Sequence, residues 1–371
     1  MKTLIIILGI ESGSKIPKIY SRFLLKKPLI LYTIDLAKQI EHYGDLFVLT
    51  DDENIAHICE INNVNPIFIK EIFNKPIKNL TNKFNQIFNY IFGLTSLNYE
   101  TILILNPHFP LVKADSVNNS LKDFYNNKEI SYAITVKESK YSKRELWYKN
   151  EKNEKFQPLK VKEINNSKQI YERINAFSIF KEPILPNYKI NIGEKIKIIK
   201  LDFPENLEVK NHIDWWIIEK FLKRKKILIR VDGYREIGFG HIYRMITLAN
   251  RLIDHELLFV SNETFMDGIE LIKNSNYPVK FFQSDKDYFK IIENFNPDIV
   301  LNDILDTDQN YIQKLKDKNI FVVNFEDLGK GAENANLVIN ALYERKNFLE
   351  NHYWGKEYYI LREEFHLIPK K

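Results

Sequence analysis

The chain has a single cysteine among its 371 residues, Cys59, so no internal disulfide can form. Proteins without disulfides are typical of reducing compartments and depend on their cores for stability. The apolar run at the start, Leu4 to Leu8, is too short for a membrane span or a secretory signal, and a glycine and charged residues soon follow it. We therefore predict a cytoplasmic protein that does not enter a membrane.

The sequence also lacks a strong excess of one charge. Its 54 lysines and arginines against 49 acidic residues give a net charge of +5, and the lysines are spread along the whole chain. Proteins that bind nucleic acid usually concentrate positive charge on one face or in one arm, so nucleic acid is not expected as a partner. Hydrophobic residues make up 44% of the chain, which is enough for ordinary cores and excludes wholesale disorder.

Strand-like and helix-like patterns alternate along both halves of the chain. Apolar runs such as Leu4–Leu8 and Thr101–Leu105 are typical of buried parallel strands, and segments with helical spacing such as Pro28–Gln39 lie between them. This alternation predicts the α/β class, with two Rossmann-like doubly wound domains in tandem. We predict the domains at residues 1–224 and 225–371.

Some segments mark the boundaries of this pattern. The basic run Lys223–Lys226 is the expected domain boundary, and Gly44 is expected just past the end of the first helix. The polar segment 138–169 is predicted to be a flap or an arm through which a homodimer forms. Tyr358–Leu361 is the expected last strand.

The N-terminal half contains five short motifs, in chain order GIESGSKIPK from Gly9, KPLILYTI from Lys27, LTDDENIA from Leu49, LNPHFPL from Leu105 and RINAF from Arg173. Together they resemble the CMP-sialic acid synthetase (acylneuraminate cytidylyltransferase) family over residues 1–222. The resemblance implies the transfer of CMP from CTP to a nine-carbon acidic sugar. The implied pathway is the biosynthesis of a nonulosonic acid of the sialic, pseudaminic or legionaminic type.

The resemblance also assigns roles to residues. The positions expected to bind nucleotide are Gly13, Ser14, Lys15 and Lys18. A glycine-rich loop with a lysine can hold a triphosphate through backbone N–H groups and one point charge, which makes Lys15 a catalytic candidate. Asn106 and Asn175 fall on positions expected to contact the substrate.

The sequence departs from this family at positions that bind the nucleotide, the substrate or the metal. The loop arginine of the family is Glu11 here, and the arginine that ends its P-L-R motif is Val112. In the stretch LEVKNHIDWW, the two metal-binding aspartates of the family fall on Glu208 and Lys210, whereas Asp214 is retained. An ammonium group has donors only and cannot ligate Mg²⁺, so binding of Mg²⁺ by Glu208 and Asp214 is expected to be weak or absent.

Two accounts of this divergence are open. In one, Lys210 supplies part of the metal's charge and acts in catalysis on a changed substrate. In the other, the half has lost transferase activity and persists as a scaffold that binds a sugar or nucleotide for a pathway enzyme. We favour the first account, because Ser14, Lys15 and Lys18 are retained.

The C-terminal half opens on a strand, a glycine-rich turn and a helical pattern within Ile227 to Leu252. In a βαβ unit such a turn lies at the edge of the sheet where ligands bind, and its backbone N–H groups can approach an anion. His241 would lie at the start of the helix, where the dipole favours the neutral imidazole that a general base needs. From the spacing alone, a tight turn with a capping histidine explains the pattern equally well.

The stretch RVDGYREIGFGHIYR from Arg230 resembles the first loop of the UDP-sugar hydrolase of the pseudaminic acid pathway, a glycosyltransferase-B-like protein. The G-x-G-H-x-x-R pattern of that family falls on Gly238, Gly240, His241 and Arg244. The resemblance implies that His241 is the catalytic base and that the substrate is a UDP-sugar. Arg244, about one helical turn further on, is expected to reach the same cleft and meet a phosphate.

Two further features of this half remain open. LREEF, from Leu361, resembles a segment near the end of the first of the two hydrolase lobes, and the second lobe has no counterpart before Lys371. Either the chain belongs to a longer protein or this half is a single lobe without its own nucleotide site. Four acids follow expected strands, namely Asp303, Asp306, Glu326 and Asp327. They are predicted either to line the cleft beside His241 or to be solvated loop residues.

Overall fold

The computed structural model describes residues 3–10, 15–41, 43–73, 84–94, 99–139, 147–149, 156–158, 170–181, 196–233, 238–346 and 349–366. The chain divides into two compact units, Met1–Phe221 and Leu222–Lys371. Each unit is built on a seven-stranded sheet with helices, which confirms the predicted class of two α/β domains. None of the helices in the described ranges has the length and apolar character needed to cross a membrane.

The first unit contains eleven described strands and six described helices, the last of which ends two residues beyond the unit boundary. The strands are β1 (Thr3–Gly9), β2 (Phe23–Leu24), β3 (Lys27–Pro28), β4 (Tyr43–Thr50), β5 (Asn65–Phe68), β6 (Thr101–Leu105), β7 (Tyr132–Glu138), β8 (Trp147–Lys149), β9 (Phe156–Pro158), β10 (Tyr171–Lys181) and β11 (Ile196–Lys200). The helices are α1 (Leu29–Lys38), α2 (Glu53–Ile61), α3 (Ile69–Ile72), α4 (Phe84–Leu94), α5 (Ala114–Asn126) and α6 (His212–Lys223).

The main sheet of the first unit has the strand order β11-β7-β10-β6-β1-β4-β5. Its neighbours are parallel except that β10 runs antiparallel to both β6 and β7. The chain leaves β1 toward β4 on one side and later returns to pair β6 on the other side. The carboxyl ends of β1 and β6 therefore flank a topological switch point, the place where open α/β sheets bind ligands.

The second unit contains seven described strands and five helices. The strands are β12 (Lys226–Val231), β13 (Glu256–Asn262), β14 (Val279–Phe282), β15 (Ile299–Asp303), β16 (Phe321–Phe325), β17 (Leu337–Asn340) and β18 (His352–Trp354). The helices are α7 (Gly240–Arg251), α8 (Met266–Asn274), α9 (Asp285–Phe295), α10 (Gln309–Lys316) and α11 (Glu363–His366).

The sheet of the second unit is parallel throughout its described pairs, in the order β14-β13-β12-β15-β16-β17-β18. Its switch point lies between β12 and β15, because β13 pairs with β12 on one side and β15 pairs with it on the other. The helix that follows β12 is α7, so the first turn of α7 begins beside this switch point.

Close packing fixes the start of α7 over the end of β12. Ile242 and Met245 of the helix are fully buried in one core cluster with Ile229 and Val231 of the strand. Full burial of such side chains stabilises the fold by roughly 1.5–3 kcal/mol each. The turn approaches the helix so closely that a Cβ on Gly233 would come within 2.6 Å of Ile242. This packing holds the glycine turn and the first turn of α7 together at the edge of the sheet.

The structure corrects two sequence-based expectations. Gly44 does not follow the first helix directly but lies in β4, since α1 ends at Lys38 without the help of a glycine. Tyr358–Leu361 is not a strand: the chain turns at Gly355, which has a φ of 107°, and forms a 3-10 turn at Lys356–Tyr358. The described parts of the predicted flap 138–169 include β8 and β9, which pair antiparallel, while most of that segment lies outside the described residues.

Candidate functional site

A close group of titratable side chains in the second unit lies at the carboxyl ends of β12 and β15. His241 is the second residue of α7, and Asp303 is the last residue of β15, paired in register with Val231. The Nδ1 atom of His241 lies 2.5 Å from Oδ1 of Asp303, whose side chain is fully buried. Because an ionised carboxylate only accepts hydrogen bonds, we assign the imidazole proton to Nδ1, which leaves Nε2 to accept a proton.

Arg244 binds the Asp303 carboxylate through two nitrogen atoms. Its Nε lies 2.8 Å from Oδ2 and its Nη2 lies 2.6 Å from Oδ1, so the guanidinium grips both carboxylate oxygens. Such paired contacts fix the plane of a carboxylate as well as its charge. Burial acts to lower the pKa of Arg244, but the hydrogen bonds and charge of Asp303 outweigh it and raise that pKa. Arg244 therefore stays charged and keeps Asp303 aimed at His241.

Glu326 completes the network on the other side of Arg244. It directly follows β16 in a left-handed backbone conformation, and its Oε1 lies 3.3 Å from Nη1 of Arg244. The backbone N–H groups of Ala341 and Leu342 donate to its two carboxylate oxygens. Burial raises the pKa of Glu326 despite these donors. With both acids ionised, the buried network of Asp303, Arg244 and Glu326 carries one net negative charge.

The phosphate contact predicted for Arg244 stays a prediction, and the structure adds several protein partners to this side chain. Three of its nitrogens are engaged by Asp303 and Glu326, and Nη2 also lies 3.0 Å from Nδ1 of His241. A guanidinium with its donors committed in this way is better suited to support a base than to receive a phosphate. In the structure the guanidinium of Arg244 is therefore bonded to two carboxylates, Asp303 and Glu326.

A cavity of about 330 Å³ opens beside the imidazole. Its walls include His241 and Arg244 from α7, Leu342 after β17, and the segment Tyr359–Arg362 with Phe365. Gly240, the first residue of α7, also lines it, and a Cβ on Gly240 would meet no other atom within 4 Å. The glycine therefore keeps open the approach to the helix start, where backbone N–H groups favour an anion.

The glycine turn before the helix requires one unusual backbone conformation. Gly238 has a φ of 88°, in the region that side chains other than glycine rarely adopt. A Cβ there would meet no neighbouring atom, so the conformation rather than packing explains the glycine. The first glycine of the G-x-G-H pattern thus allows the positive φ of Gly238, and the second, Gly240, leaves the cavity wall without a side chain at the helix start.

The other two acids considered in the sequence lie outside this group. Asp327 is buried and accepts hydrogen bonds from Thr307 Oγ1 at 2.7 Å and from the backbone of Gly329 at 2.8 Å. Asp306 is exposed and accepts from the backbone of Leu328. Both acids hold turns, whereas Asp303 and Glu326 are the two that join His241 and Arg244.

The candidate site of the first unit gathers at the carboxyl ends of β1 and β6. Gly13 and Ser14 lie outside the described residues, and the described chain resumes at Lys15. The backbone N–H of Lys15 donates to the carbonyl of Lys210 at 3.2 Å, which joins Lys15 to the segment before α6. Lys18 is exposed, in a left-handed conformation, and its carbonyl accepts from the backbone of Arg22.

Asn106 and Asn175 lie on neighbouring strands of the same edge. Asn106 directly follows β6, and its backbone N–H donates to the carbonyl of Ala176 at 3.0 Å. Asn175 is exposed, in a stretch of β10 where the register with β7 shifts between Ile174 and Ser178. Such a bulge commonly redirects a side chain beside a functional site. Asn106 and Asn175, the two residues predicted to contact the substrate, therefore lie close together in the structure.

The three residues predicted around a metal are engaged elsewhere. Nζ of Lys210 lies 2.7 Å from Oε2 of Glu208, and this hydrogen bond raises the pKa of Lys210. Oδ2 of Asp214 accepts from the backbone N–H groups of Lys210 and Asn211, while Asn211 Oδ1 accepts from Ile213 and Asp214. These reciprocal bonds form a capping box at the start of α6.

This donor set does not fit Mg²⁺. The ion favours several oxygen ligands in an octahedral arrangement, but one carboxylate is paired with an ammonium and another caps a helix. Within the described ranges no group of three or more His, Cys, Asp or Glu side chains is placed to hold a metal ion.

Comparison with known proteins gives partial matches, and no family model matches the chain. An uncharacterized protein of Methanocaldococcus jannaschii is 29% identical over an alignment of 160 residues that covers 39% of this chain and 33% of that protein. A 3-deoxy-manno-octulosonate cytidylyltransferase of Acinetobacter baumannii is 39% identical over 56 residues, which are 15% of this chain and 22% of that enzyme. The chain thus spans a third or less of the length of these relatives.

Two solved structures are similar to part of the chain. CMP:2-keto-3-deoxy-manno-octonic acid synthetase complexed with CTP matches with a TM-score of 0.46 and 14% identity, over 60% of this chain and 99% of that chain. The 4-diphosphocytidyl-2C-methyl-D-erythritol synthase of Anaerococcus prevotii matches with a TM-score of 0.42 and 15% identity, over 60% and 96%. The cytidylyltransferase sequence match supports a cytidylyltransferase-like N-terminal region. The likeness of the C-terminal half to a UDP-sugar hydrolase stays a prediction.

Proposed function

We propose that the first unit is a cytidylyltransferase that activates an acidic sugar of the nonulosonic type with CTP. In this reaction a sugar hydroxyl oxygen bonds to the α-phosphorus of CTP, and pyrophosphate leaves. The observation that carries the proposal is that the adjacent residues Val209 and Lys210 bond the backbone of His108 and Lys15, which gathers the segment after β6 and the segment of Lys15 beside one switch point. The similarity to a 3-deoxy-manno-octulosonate cytidylyltransferase supports the same chemistry.

In this proposal the protein's own cations take over charge that a metal supplies in related chemistry. Nucleotidyl transfer depends mainly on positioning and on neutralising phosphate charge. Lys15 and Lys210 are both exposed side chains on segments joined by a backbone hydrogen bond. Lys15 would hold the triphosphate, and Lys210 would exchange its pairing with Glu208 for a phosphate when CTP binds.

One incubation separates this proposal from its alternatives. The intact protein is given CTP, Mg²⁺ and a panel of nonulosonic acids, and in parallel a panel of UDP-linked amino sugars. Release of pyrophosphate supports the transferase, and release of UDP supports hydrolysis by the second unit. Binding of a sugar or nucleotide without either product supports a non-catalytic scaffold and overturns the transferase proposal.

Changing Lys15 to Ala is expected to weaken CTP binding about tenfold, because one point charge beside the triphosphate is lost. Isothermal titration calorimetry of both proteins measures the difference, with circular dichroism to check the fold. Lys26→Ala is the matched control, since Lys26 is an exposed lysine in the turn between β2 and β3 of the same unit. Equal CTP affinity of Lys15→Ala and the unchanged protein would contradict the nucleotide role.

Changing Lys210 to Asp is expected to raise Mg²⁺ affinity at least tenfold, because it removes the cation that pairs with Glu208 and adds an oxygen ligand. Calorimetric titration with MgCl₂ in the absence of nucleotide gives the comparison. Lys210→Ala, which removes the cation without adding a ligand, is the control. Tight Mg²⁺ binding by the unchanged protein through Glu208 and Asp214 would refute this account of the divergence.

A second candidate function rests on the pair of His241 and Asp303. We infer that the second unit hydrolyses a UDP-linked amino sugar. The free Nε2 of His241 would take a proton from a water molecule that displaces UDP from the sugar. The observation that favours this candidate is the 2.5 Å contact to a fully buried carboxylate beside an open cavity. A base oriented by a second group is the arrangement that proton abstraction requires.

A further inference from the structure

The LREEF stretch brings a second arginine, Arg362, into the cavity beside His241. The guanidinium carbon of Arg362 lies 5.2 Å from the centre of the Tyr243 ring and 5.6 Å from that of Phe365. The N–H donors of a guanidinium lie in its plane and point outward from its edges. Arg362 is exposed and forms no ion pair with the side chains that the structure describes.

The charges around the cavity explain why such a cation is needed. Arg244 is held by Asp303 and Glu326, and with both acids ionised these three groups leave one net negative charge behind His241. A sugar nucleotide carries negative charge on its diphosphate, so this network by itself repels the substrate of the proposed hydrolysis. Arg362 is the other arginine in the cavity wall, and its guanidinium has no carboxylate partner among the described side chains.

We propose that Arg362 is the anion-binding residue of this cavity and contacts the diphosphate of a sugar nucleotide through its in-plane N–H groups. The inference rests on the proposed hydrolase function and adds the part of the substrate that the cavity recognises. It divides the work of the two arginines, because Arg244 supports the base and Arg362 receives the anion. Tyr243 and Phe365 restrict the guanidinium and so reduce the entropy lost when an anion binds.

Binding of inorganic pyrophosphate to the intact protein tests the proposal without requiring turnover. The imidazole signals are followed by ¹³C-edited NMR, and the signal of His241 is identified by its loss in His241→Asn. We expect pyrophosphate to shift the His241 signal saturably, because the anion binds in the same cavity. In Arg362→Gln the midpoint should rise about tenfold, and in Arg362→Lys it should be intermediate, since the lysine keeps charge but not the paired donors.

Two controls isolate the effect. Arg251→Gln removes the same charge from the last turn of α7, about 15 Å along the helix from His241, and should leave the midpoint unchanged. Lys15→Ala, titrated in the same way, separates this site from anion bound by the first unit. An Arg362→Gln midpoint equal to that of the unchanged protein would overturn the proposal. So would a His241 signal that pyrophosphate does not shift.

The outcomes distinguish this inference from the hydrolase function. A pyrophosphate response that depends on Arg362, without UDP-sugar turnover, would support the anion site and overturn the hydrolysis. Turnover together with a response that is insensitive to Arg362→Gln would support the hydrolysis and overturn the anion site. Circular dichroism of Arg362→Lys, whose charge is retained, checks that an altered response reflects binding rather than loss of the fold.

Discussion

Replacing His241 with asparagine is expected to lower the turnover of a UDP-linked amino sugar by about a hundredfold or more. Asparagine has a similar size and keeps a hydrogen-bonding group toward Asp303, but it cannot take a proton from water. The imidazole borders the cavity, whereas the Asp303 side chain behind it is fully buried. Because the exchange conserves size, we expect little change in the stability of the second unit.

The measurement is the rate of UDP release under saturating substrate, with substrate binding determined separately. His255→Asn is the matched control, because His255 accepts a hydrogen bond from the backbone of Lys225 and does not line the cavity. Equal turnover of His241→Asn and the unchanged protein would show that His241 is not the base. No turnover in either protein would count against hydrolysis by this chain, and the test would then be repeated on any longer natural chain.

The position of His241 at the start of a helix depends on neighbouring residues only, so it can be predicted from the sequence. A glycine turn after an apolar strand and before helical spacing defines a helix start, and α7 begins at Gly240. The partner of His241 could not be predicted in this way, because Asp303 lies 62 positions further along the chain. Its approach depends on β15 pairing beside β12, and strand order is a property of the whole sheet. Sequence spacing could therefore offer Asp303 and Asp306 only as equal candidates.

The first unit shows the same limit. The resemblance to cytidylyltransferases places Asn106 and Asn175 in separate motifs, but their proximity needs β10 to run antiparallel beside β6. The replacement of a metal ligand by Lys210 could be recognised from residue type alone. The pairing of Lys210 with Glu208, and the use of Asp214 as a helix cap, required the geometry of the turn.

Replacing Asp303 with asparagine is expected to destabilise the second unit by about 3 kcal/mol, the largest stability change predicted for this protein. The exchange removes the charge that Arg244 grips through two contacts and leaves that buried guanidinium with Glu326 at 3.3 Å. Hydrogen exchange of the peptides that cover β12 and β15 measures the change in the second unit alone. Asp306→Asn is the matched control, since Asp306 is exposed and bonds one backbone N–H, and it should cost less than about 1 kcal/mol.

Stability alone would not distinguish a structural aspartate from one that orients the base, so the same variant is tested for turnover. If Asp303 acts through His241, UDP release should fall about tenfold or more in Asp303→Asn with little change in KM. The double variant His241→Asn/Asp303→Asn should then be no slower than His241→Asn, because the aspartate has no base left to orient. Losses that multiply in the double variant would mean that Asp303 contributes independently of His241. Undiminished turnover in the stably folded fraction of Asp303→Asn would limit Asp303 to holding Arg244 in place.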